Sequence, residues 1–415
     1  MRTSSRHPQV HATDRHGRRR LFGGRPANDA RVGAAEATGD AGLRVLHVVR
    51  RPVSMHGGVE RVVAGLVREM GAARPTWSVR TSSAFRPNER VSTLPIVSDV
   101  VAALRIAGTL RRSDADVAYV HCPECLWVNA LLRVVDRWRH AGRHRGPKVV
   151  AVWHGAGPRR FLALRGRRSV SARVLAAWVS RAERGALTVD SHVAVHPEVV
   201  ADLRHHHGLR APVVVIRNAL DRDVARRLEN LPRRTGQSLG LRVLWAGQTG
   251  YAKGLDIALA AFAHARERVP GLTLVVAGLR APDSAAVEGV EWLGVVPPAE
   301  MAAVYAGVDL MLFPSRYESF GLVVVEAMGA GLPVVVSTGL PGDIVVDDRN
   351  GLVVQGWDPA DYAAAMVRLA SDPAVRARMA SQNRDDVRRF DPAERAEEFA
   401  RDSELVASTG PGQQR

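Results

Sequence analysis

From about residue 43 onward, short runs of β-branched and other apolar residues alternate with stretches whose apolar positions recur at helical spacing. Continuous apolar runs bounded by turn residues suit strands buried on both faces, and such strands build parallel sheets joined by helical crossovers. In the first half the pattern predicts strands over 44–49, 117–121, 149–153 and 213–216, with a helix over 59–70. Residues 222–240 carry proline, glycine and charge but little apolar periodicity, and read as a linker. A second series follows, with strands over 241–246, 272–277, 308–313 and 333–337 and helices after Gly254, Gly321 and Pro359. The expected architecture is α/β, two doubly wound domains facing a cleft at the carboxyl ends of both sheets, where open sheets of this kind bind ligands. The expected divisions are a basic tail over 1–41, a first domain over 42–221, the linker, a second domain over 241–390, and a closing helix and tail over 391–415. The charged amphipathic segment 392–407 can pack back across the first domain, but its pattern alone does not place it.

Composition agrees with two ordinary cores. The chain has 415 residues, 46% hydrophobic and 24% charged, close to the average of globular proteins. The longest apolar candidate, 322–337, is broken by Glu326 and several glycines, so no run reaches the ~20 residues of a spanning helix. The first 40 residues lack the apolar core of a secretory signal and read as a disordered tail. Two cysteines, Cys122 and Cys125, make no disulfide framework and lack the second pair of a zinc site, which suits a reducing cytoplasm.

The net charge of +16 changes the picture because it is uneven. Residues 1–210 hold 36 Lys+Arg and 16 Asp+Glu, leaving 22 and 26 for the remainder, so +20 stands against −4. Such asymmetry points to an anionic partner for the first half: nucleic acid, a membrane surface or a phosphorylated substrate. Only Lys148 and Lys253 are lysine; a compositional bias explains arginine over lysine, but not the asymmetry. No paired aromatics in a basic sheet are evident, which argues against nucleic acid. Arginines mixed with Phe161, Leu162, Trp178 and Val179 over 158–184 resemble a basic interfacial helix suited to an anionic membrane, on the inner face of the cell membrane.

The chemistry concentrates at Pro314-Ser315-Arg316-Tyr317-Glu318-Ser319-Phe320-Gly321-Leu322, which follows a buried strand and opens a helix. Glycine at 321 lets backbone approach a ligand, and the amides of Phe320, Gly321, Leu322 and residue 323 at the helix N-terminus suit a diphosphate. Glu326 lies about 6 Å further along the helix axis, where a carboxylate can accept both hydroxyls of a ribose. Glu318, on the preceding loop, is placed toward a transferred sugar.

This segment resembles glycosyltransferase family 4, retaining enzymes of the GT-B fold with two Rossmann-like domains, whose hallmark is Glu-x7-Glu in this context. The resemblance covers roughly residues 43–390. It implies transfer of a hexose from a nucleotide-diphosphate sugar donor to a saccharide or lipid-linked acceptor of the cell envelope, with no cofactor and no metal. Trp245 to Asp256 resembles the family's phosphate loop, in which Lys253 binds the donor diphosphate and neutralises charge building on the leaving nucleotide. The family's arginine stands here as Gln248, which cannot make a bidentate phosphate fork; Arg316 or Arg280 is then the candidate replacement. Met55-His56-Gly57-Gly58-Val59-Glu60 resembles the family's Gly-Gly loop at the donor phosphate, and His154, after the strand ending at 153, matches its histidine near the reacting sugar. Asn218, in Arg217-Asn218-Ala219-Leu220-Asp221, is read as a hinge residue, and Gly342 and Asp343 stand where a Pro-Glu pair is usual.

The implied set is therefore Glu318, His154 and Lys253 as catalytic residues, with Gly57, Gly58, Gln248, Lys253, Arg316, Phe320, Gly321, Leu322 and Glu326 binding the donor. An epimerase or hydrolase on the same fold, and a non-catalytic nucleotide-sugar binder, remain open alternatives. Asp114/Asp116 and Asp221/Asp223 have the spacing of a metal-binding DxD, but neither pair follows a strand. His205, His206 and His207 read as a solvated loop.

Overall fold

The computed structural model describes residues 42–52, 58–86, 89, 95–128, 146–155, 170–231, 240–248, 251–281 and 287–409. Strands β1 (Arg44–Val49), β2 (Ser78–Ser83), β3 (Val117–Val120), β4 (Lys148–Trp153), β5 (Ser191–Ala194) and β6 (Val214–Val215) form one sheet in the order β2-β1-β3-β4-β5-β6. Strands β7 (Arg242–Ala246), β8 (Thr273–Ala277), β9 (Val290–Gly294), β10 (Leu310–Phe313), β11 (Val334–Ser337) and β12 (Gly351–Val354) form a second, in the order β12-β11-β10-β7-β8-β9. All neighbouring strands run parallel.

The alternation of side chains explains why the central strands read as unbroken apolar runs. In the first sheet Leu46, Val48, Ala118, Val120, Ala151 and Trp153 fill the core on one face. Val45, Val49, Val117, Tyr119, Val150 and Val152 fill the other. Both faces are covered, so no position along these strands needs a polar side chain. The first-sheet helices are α1 (Gly58–Ala73), α2 (Pro95–Arg112), α3 (Val170–Gly185) and α4 (Pro197–His207).

Between the sheets lies α5 (Arg222–Glu229), where the sequence reading expected only linker. Asp221 caps it, accepting from the N–H groups of Asp223 and Val224 at 2.9 and 3.4 Å. Val224, Ala225 and Leu228 give one apolar stripe, and Leu228 is buried among Leu220, Val325 and Met328. Eight residues with three apolar positions are too short for a periodic signal, and the helix owes its place to that tertiary contact. The second series continues through α6 (Leu255–Arg268), α7 (Met301–Ala306), α8 (Leu322–Gly329), α9 (Pro359–Ser371) and α10 (Pro373–Asp386).

The closing helix, α11 (Pro392–Ser408), crosses back to the first sheet. Its Ala396, Phe399 and Val406 pack on the face that holds Val45, Tyr119 and Val152. The Tyr119 hydroxyl donates to Asp402 at 2.7 Å, and Arg74 at the end of α1 pairs with Glu397 at 2.8 Å. The triple histidine is also placed differently from expectation: it closes α4 rather than forming a loop, with His207 buried 2.8 Å from Glu183. Among the described residues no cluster of His, Cys, Asp and Glu could hold a metal, and no helix is long and apolar enough to cross a membrane.

Candidate active site

Two loops at the carboxyl edge of the second sheet meet and place the residues singled out by the motifs. The loop after β7 ends at Gly254 in the left-handed region (φ 67°), where a Cβ would collide with the carbonyl oxygen of Pro314. Glycine at 254 is therefore what lets this loop lie against the loop after β10. The contact is sealed by backbone: Arg316 N–H donates to Ala252 C=O at 2.9 Å, and the Ser315 hydroxyl donates to the same carbonyl at 3.1 Å. The Trp245 indole N–H donates to Lys253 C=O at 3.0 Å.

Held this way, Lys253 ion-pairs with Glu318, and its ammonium lies 5.5 Å from the centre of the Phe313 ring. Glu318 is fixed in turn, its N–H donating to Gly339 C=O at 2.8 Å. The two residues assigned to diphosphate and sugar are thus adjacent. Gly321 caps α8 with φ 86°, a left-handed conformation that favours glycine, and a Cβ there would press on the Leu340 side chain of the β11 loop.

Gly58 opens α1 in the first domain, and a Cβ there would lie 3.7 Å from Leu322. The two glycine-bearing helix heads therefore face one another across the cleft. Gly57 lies outside the described residues. Gln248 is exposed on the loop after β7.

Arg316, the candidate replacement for the charge that Gln248 lacks, is already paired. Its guanidinium makes a fork with Asp256, at 2.8 and 2.7 Å, and lies 4.1 Å over the Tyr251 ring. Hydrogen bonding to Asp256 raises its pKa, and the same pair lowers that of Asp256 against the opposing effect of burial. A phosphate arriving here would have to compete with a carboxylate already bound in bidentate geometry. Arg280 is exposed beyond β8. The Phe320 ring is buried edge-on against Phe390 at 5.5 Å and so is turned away from the site.

Glu326 is buried and fully engaged. One oxygen lies 3.2 Å from Arg61 of α1, and the other accepts from the Tyr305 hydroxyl at 2.8 Å. Burial pushes its pKa up, opposed by Arg61 and Tyr305. A ribose at this carboxylate would have to share it with Arg61. Neither partner was foreseen, although Arg61 sits three residues after Gly58 and so on the same side of α1.

A second link between the domains is Asp343, after β11. It accepts from His196 and Arg217 of the first domain, each at 2.5 Å, and Gly342 N–H donates to Glu198 at 3.2 Å. Hydrogen bonding to His196, and then to Arg217, holds the Asp343 carboxyl well below the usual range. Asn218 is buried in the strand-to-helix segment that precedes α5. His154 is buried at the end of β4, with its Nε2 3.0 Å from Nδ1 of His121.

Comparison with known proteins accounts for this layout. Residues 56–224 match the model of Glycosyltransferase Family 4, and residues 240–372 match that of Glycosyl transferases group 1. The chain belongs to glycosyltransferase family 4. It is 38% identical over 146 residues to a D-inositol 3-phosphate glycosyltransferase of Segniliparus rotundus, a match covering 32% of each chain. It is 34% identical over 187 residues to a glycogen synthase of Mycobacterium tuberculosis, covering 41% of this chain and 44% of that one. The matches to these curated relatives thus span less than half of their length. Sucrose-phosphate synthase from Thermosynechococcus elongatus superposes with a TM-score of 0.69 at 19% identity, covering 88% of this chain and 100% of that one. WaaG, a glycosyltransferase of lipopolysaccharide biosynthesis, superposes with a TM-score of 0.65 at 15% identity and the same coverage. Identities this low speak for the fold alone, and that fold is GT-B.

Proposed function

We propose that this family 4 chain is a retaining glycosyltransferase that takes a sugar from a nucleoside-diphosphate donor held by its second domain. The observation that carries the reading is the Lys253–Glu318 pair, packed beside the head of α8 and facing α1 across the cleft. A donor diphosphate at that head would meet the positive end of the helix dipole and draw Lys253 away from Glu318. Lys253 would then stabilise charge on the departing nucleotide, and Glu318, released from its partner, would hold the sugar. Departure on the same face as attack lets a phosphate oxygen of the donor take the acceptor proton. No metal and no further cofactor enters this scheme.

The acceptor is placed on the first domain, whose excess of arginine favours an anionic molecule. Phosphorylated polyols and lipid-linked saccharides of the cell envelope share that chemistry. The D-inositol 3-phosphate relative supports the first source. The arginine-rich segment 158–184, of which 158–169 lies outside the described residues, supports the second, with the enzyme cytoplasmic and peripheral on the membrane's inner face.

Calorimetric titration with UDP, GDP and ADP, followed by product detection with the matching sugar donor, tests the reading. One nucleotide should bind, and Glu318→Gln should lower turnover while leaving nucleotide affinity within about twofold. Binding without turnover toward any acceptor would make the chain a nucleotide-sugar binder, and binding of none of the three would overturn the donor site. Co-sedimentation with anionic vesicles, lost as salt rises, separates a membrane-bound acceptor from a dissolved one.

A further inference from the structure

The two glutamates that flank the head of α8 each hold a cation. Lys253 ion-pairs with Glu318 within the second domain. Arg61 reaches Glu326 from the first domain, its Nη1 lying 3.2 Å from Oε1. The second pair spans the cleft, so its cation and its carboxylate belong to different domains.

The helices explain the meeting. Gly58 opens α1, and a Cβ on it would lie 3.7 Å from a methyl of Leu322, the first residue of α8. Arg61 stands three residues beyond Gly58 and Glu326 four beyond Leu322, about 4.5 and 6 Å along their axes. Arg61 is therefore about one turn away from the place where the unpaired amides of α8 suit a diphosphate. Its side chain is also the more open of the pair, 27% exposed against 6% for Glu326.

Glu326 has no room for a third partner without losing one. Its other oxygen accepts from the Tyr305 hydroxyl at 2.8 Å, and Tyr305 is fixed in the core of the second domain. Arg61 is the partner that can leave, because its side chain already borders the cleft. It is also incompletely satisfied: its Nε is buried with no hydrogen-bond partner among the described residues. A guanidinium offers its N–H groups as a planar fork, and a contact through Nη1 leaves the Nε side of that fork unfilled.

Charge decides where a displaced guanidinium goes. A nucleoside-diphosphate sugar brings a negative charge on each phosphate and hydroxyls on its ribose and its sugar. When hydroxyls claim the two glutamates, Lys253 and Arg61 are released together, two cations for two phosphates. That exchange leaves no charge in the cleft uncompensated, which is the costly outcome. Other arginines around the cleft are engaged elsewhere, Arg316 with Asp256 and Arg217 with Asp343.

We propose that Arg61 is a donor-binding residue: ribose takes Glu326 from it, and its guanidinium turns to the donor phosphates at the head of α8. It thereby supplies from the first domain the charge that Gln248 does not supply from the second. The inference rests on the donor site proposed above and adds to it a residue outside the second domain. Because this cation is carried by α1, a bound diphosphate ties the two domains together. Arg61 first gives up Glu326, so an arginine at 248, free of that exchange, would still add to binding.

The test titrates the full chain with UDP, GDP and ADP by calorimetry, and with the nucleoside of whichever binds by ligand-observed NMR. The ratio of nucleoside Kd to diphosphate Kd measures what the phosphates add. A change in the ribose site alters both affinities alike and cancels in that ratio. In Arg61→Met the ratio should fall about tenfold, the scale of a charge-assisted hydrogen bond. Adding Gln248→Arg to Arg61→Met should restore it, which repair of a merely structural defect would not do. An unchanged ratio in Arg61→Met, whether or not both ligands bind more weakly, would overturn the proposal and leave the donor site standing. A wild type that gains nothing from the phosphates would bring down the donor site and this inference with it. Should Arg61→Met fail to fold, Arg61→Gln, which keeps an N–H donor without the charge, makes the same comparison.

Discussion

Glu326 and Gln248 show how much a single position can be asked to do in this cleft. Glu326 is buried with a raised pKa, and of its two partners among the described residues Arg61 carries a full charge and Tyr305 does not. Removing one partner of a buried pair leaves the other uncompensated, and a loss of 3–5 kcal/mol is usual for fully buried cases. Arg61 is partly exposed (27%), so Arg61→Met should cost less, about 1–3 kcal/mol in chemical denaturation. Adding Glu326→Gln to Arg61→Met should restore much of that, because the orphaned charge is gone; a double variant no more stable than the single one would deny the coupling. At position 248 the family's cation is absent, and Arg316 is committed to Asp256. Gln248→Arg should therefore tighten nucleoside-diphosphate binding by about tenfold, the scale of a charge-assisted hydrogen bond. An unchanged affinity by calorimetry would mean that another group already supplies the charge.

Among the elements, most strands buried on both faces were legible, but the short buried strands β5 and β12 were not expected, whereas the edge strand β6 was. The unbroken run of β1 and the glycine-to-helix junctions at Gly254 and Gly321 announce themselves, because burial on two faces and a left-handed glycine each leave a mark on sequence. β2 (SVRTSS) is an edge strand with mostly half-buried polar side chains, and β9 (VEWLG) is the opposite edge of the other sheet, so neither forms an apolar run. Within the site, Lys253, Glu318 and Gly58 could be read from motifs. The partners of Glu326 could not: Arg61 and Tyr305 meet it only through tertiary packing. The buried row of His47, His121 and His154, linked nitrogen to nitrogen at 3.0 Å, was invisible for a further reason, since its members are 74 and 33 residues apart and only strand order and register align them. That row also makes a prediction about acid. His47 is held to about 3 by burial, below its unfolded value of about 6.5, so the unfolded chain takes up the proton first as pH falls. The stability its neutral form contributes is complete above about pH 6.5 and declines between there and pH 3, by about 2 kcal/mol at pH 5. Urea midpoints at pH 7 and pH 5 should differ accordingly, and His47→Phe should shrink the difference; an equal difference in both proteins would place the acid sensitivity elsewhere.

The whole molecule is two sheets held together by charge at the cleft and by one returning helix. α11 begins beyond the second domain and ends on the first, so the chain crosses between them twice, and the crossing near Asp221 is braced by the Arg68–Asp221 pair. At the mouth of the cleft, Glu326 meets Arg61 on one side and Asp343 meets His196 and Arg217 on the other. The second of these is the more exposed, with Asp343 39% accessible, and sits where the loop after β11 touches α4. Exposed pairs of this kind add little to global stability but can bias an equilibrium between open and closed domains, because many such contacts are lost together on opening. Asp343→Asn removes the charge while keeping the shape. It should leave the melting temperature nearly unchanged and shift the ligand-free protein toward an open form, read as a larger radius of gyration in solution X-ray scattering. Saturating nucleoside diphosphate should return the variant toward the wild-type radius if the donor bridges the domains. The pH dependence has a definite sign: the Asp343 carboxyl is depressed, so its contribution to closure is full above its unfolded value near 3.9 and is lost only as pH falls below that, toward its folded value. A wild-type radius that is constant from pH 8 to 5 and matched by Asp343→Asn throughout would show that this contact does not govern closure, and would leave the Arg61–Glu326 pair and α11 to hold the domains.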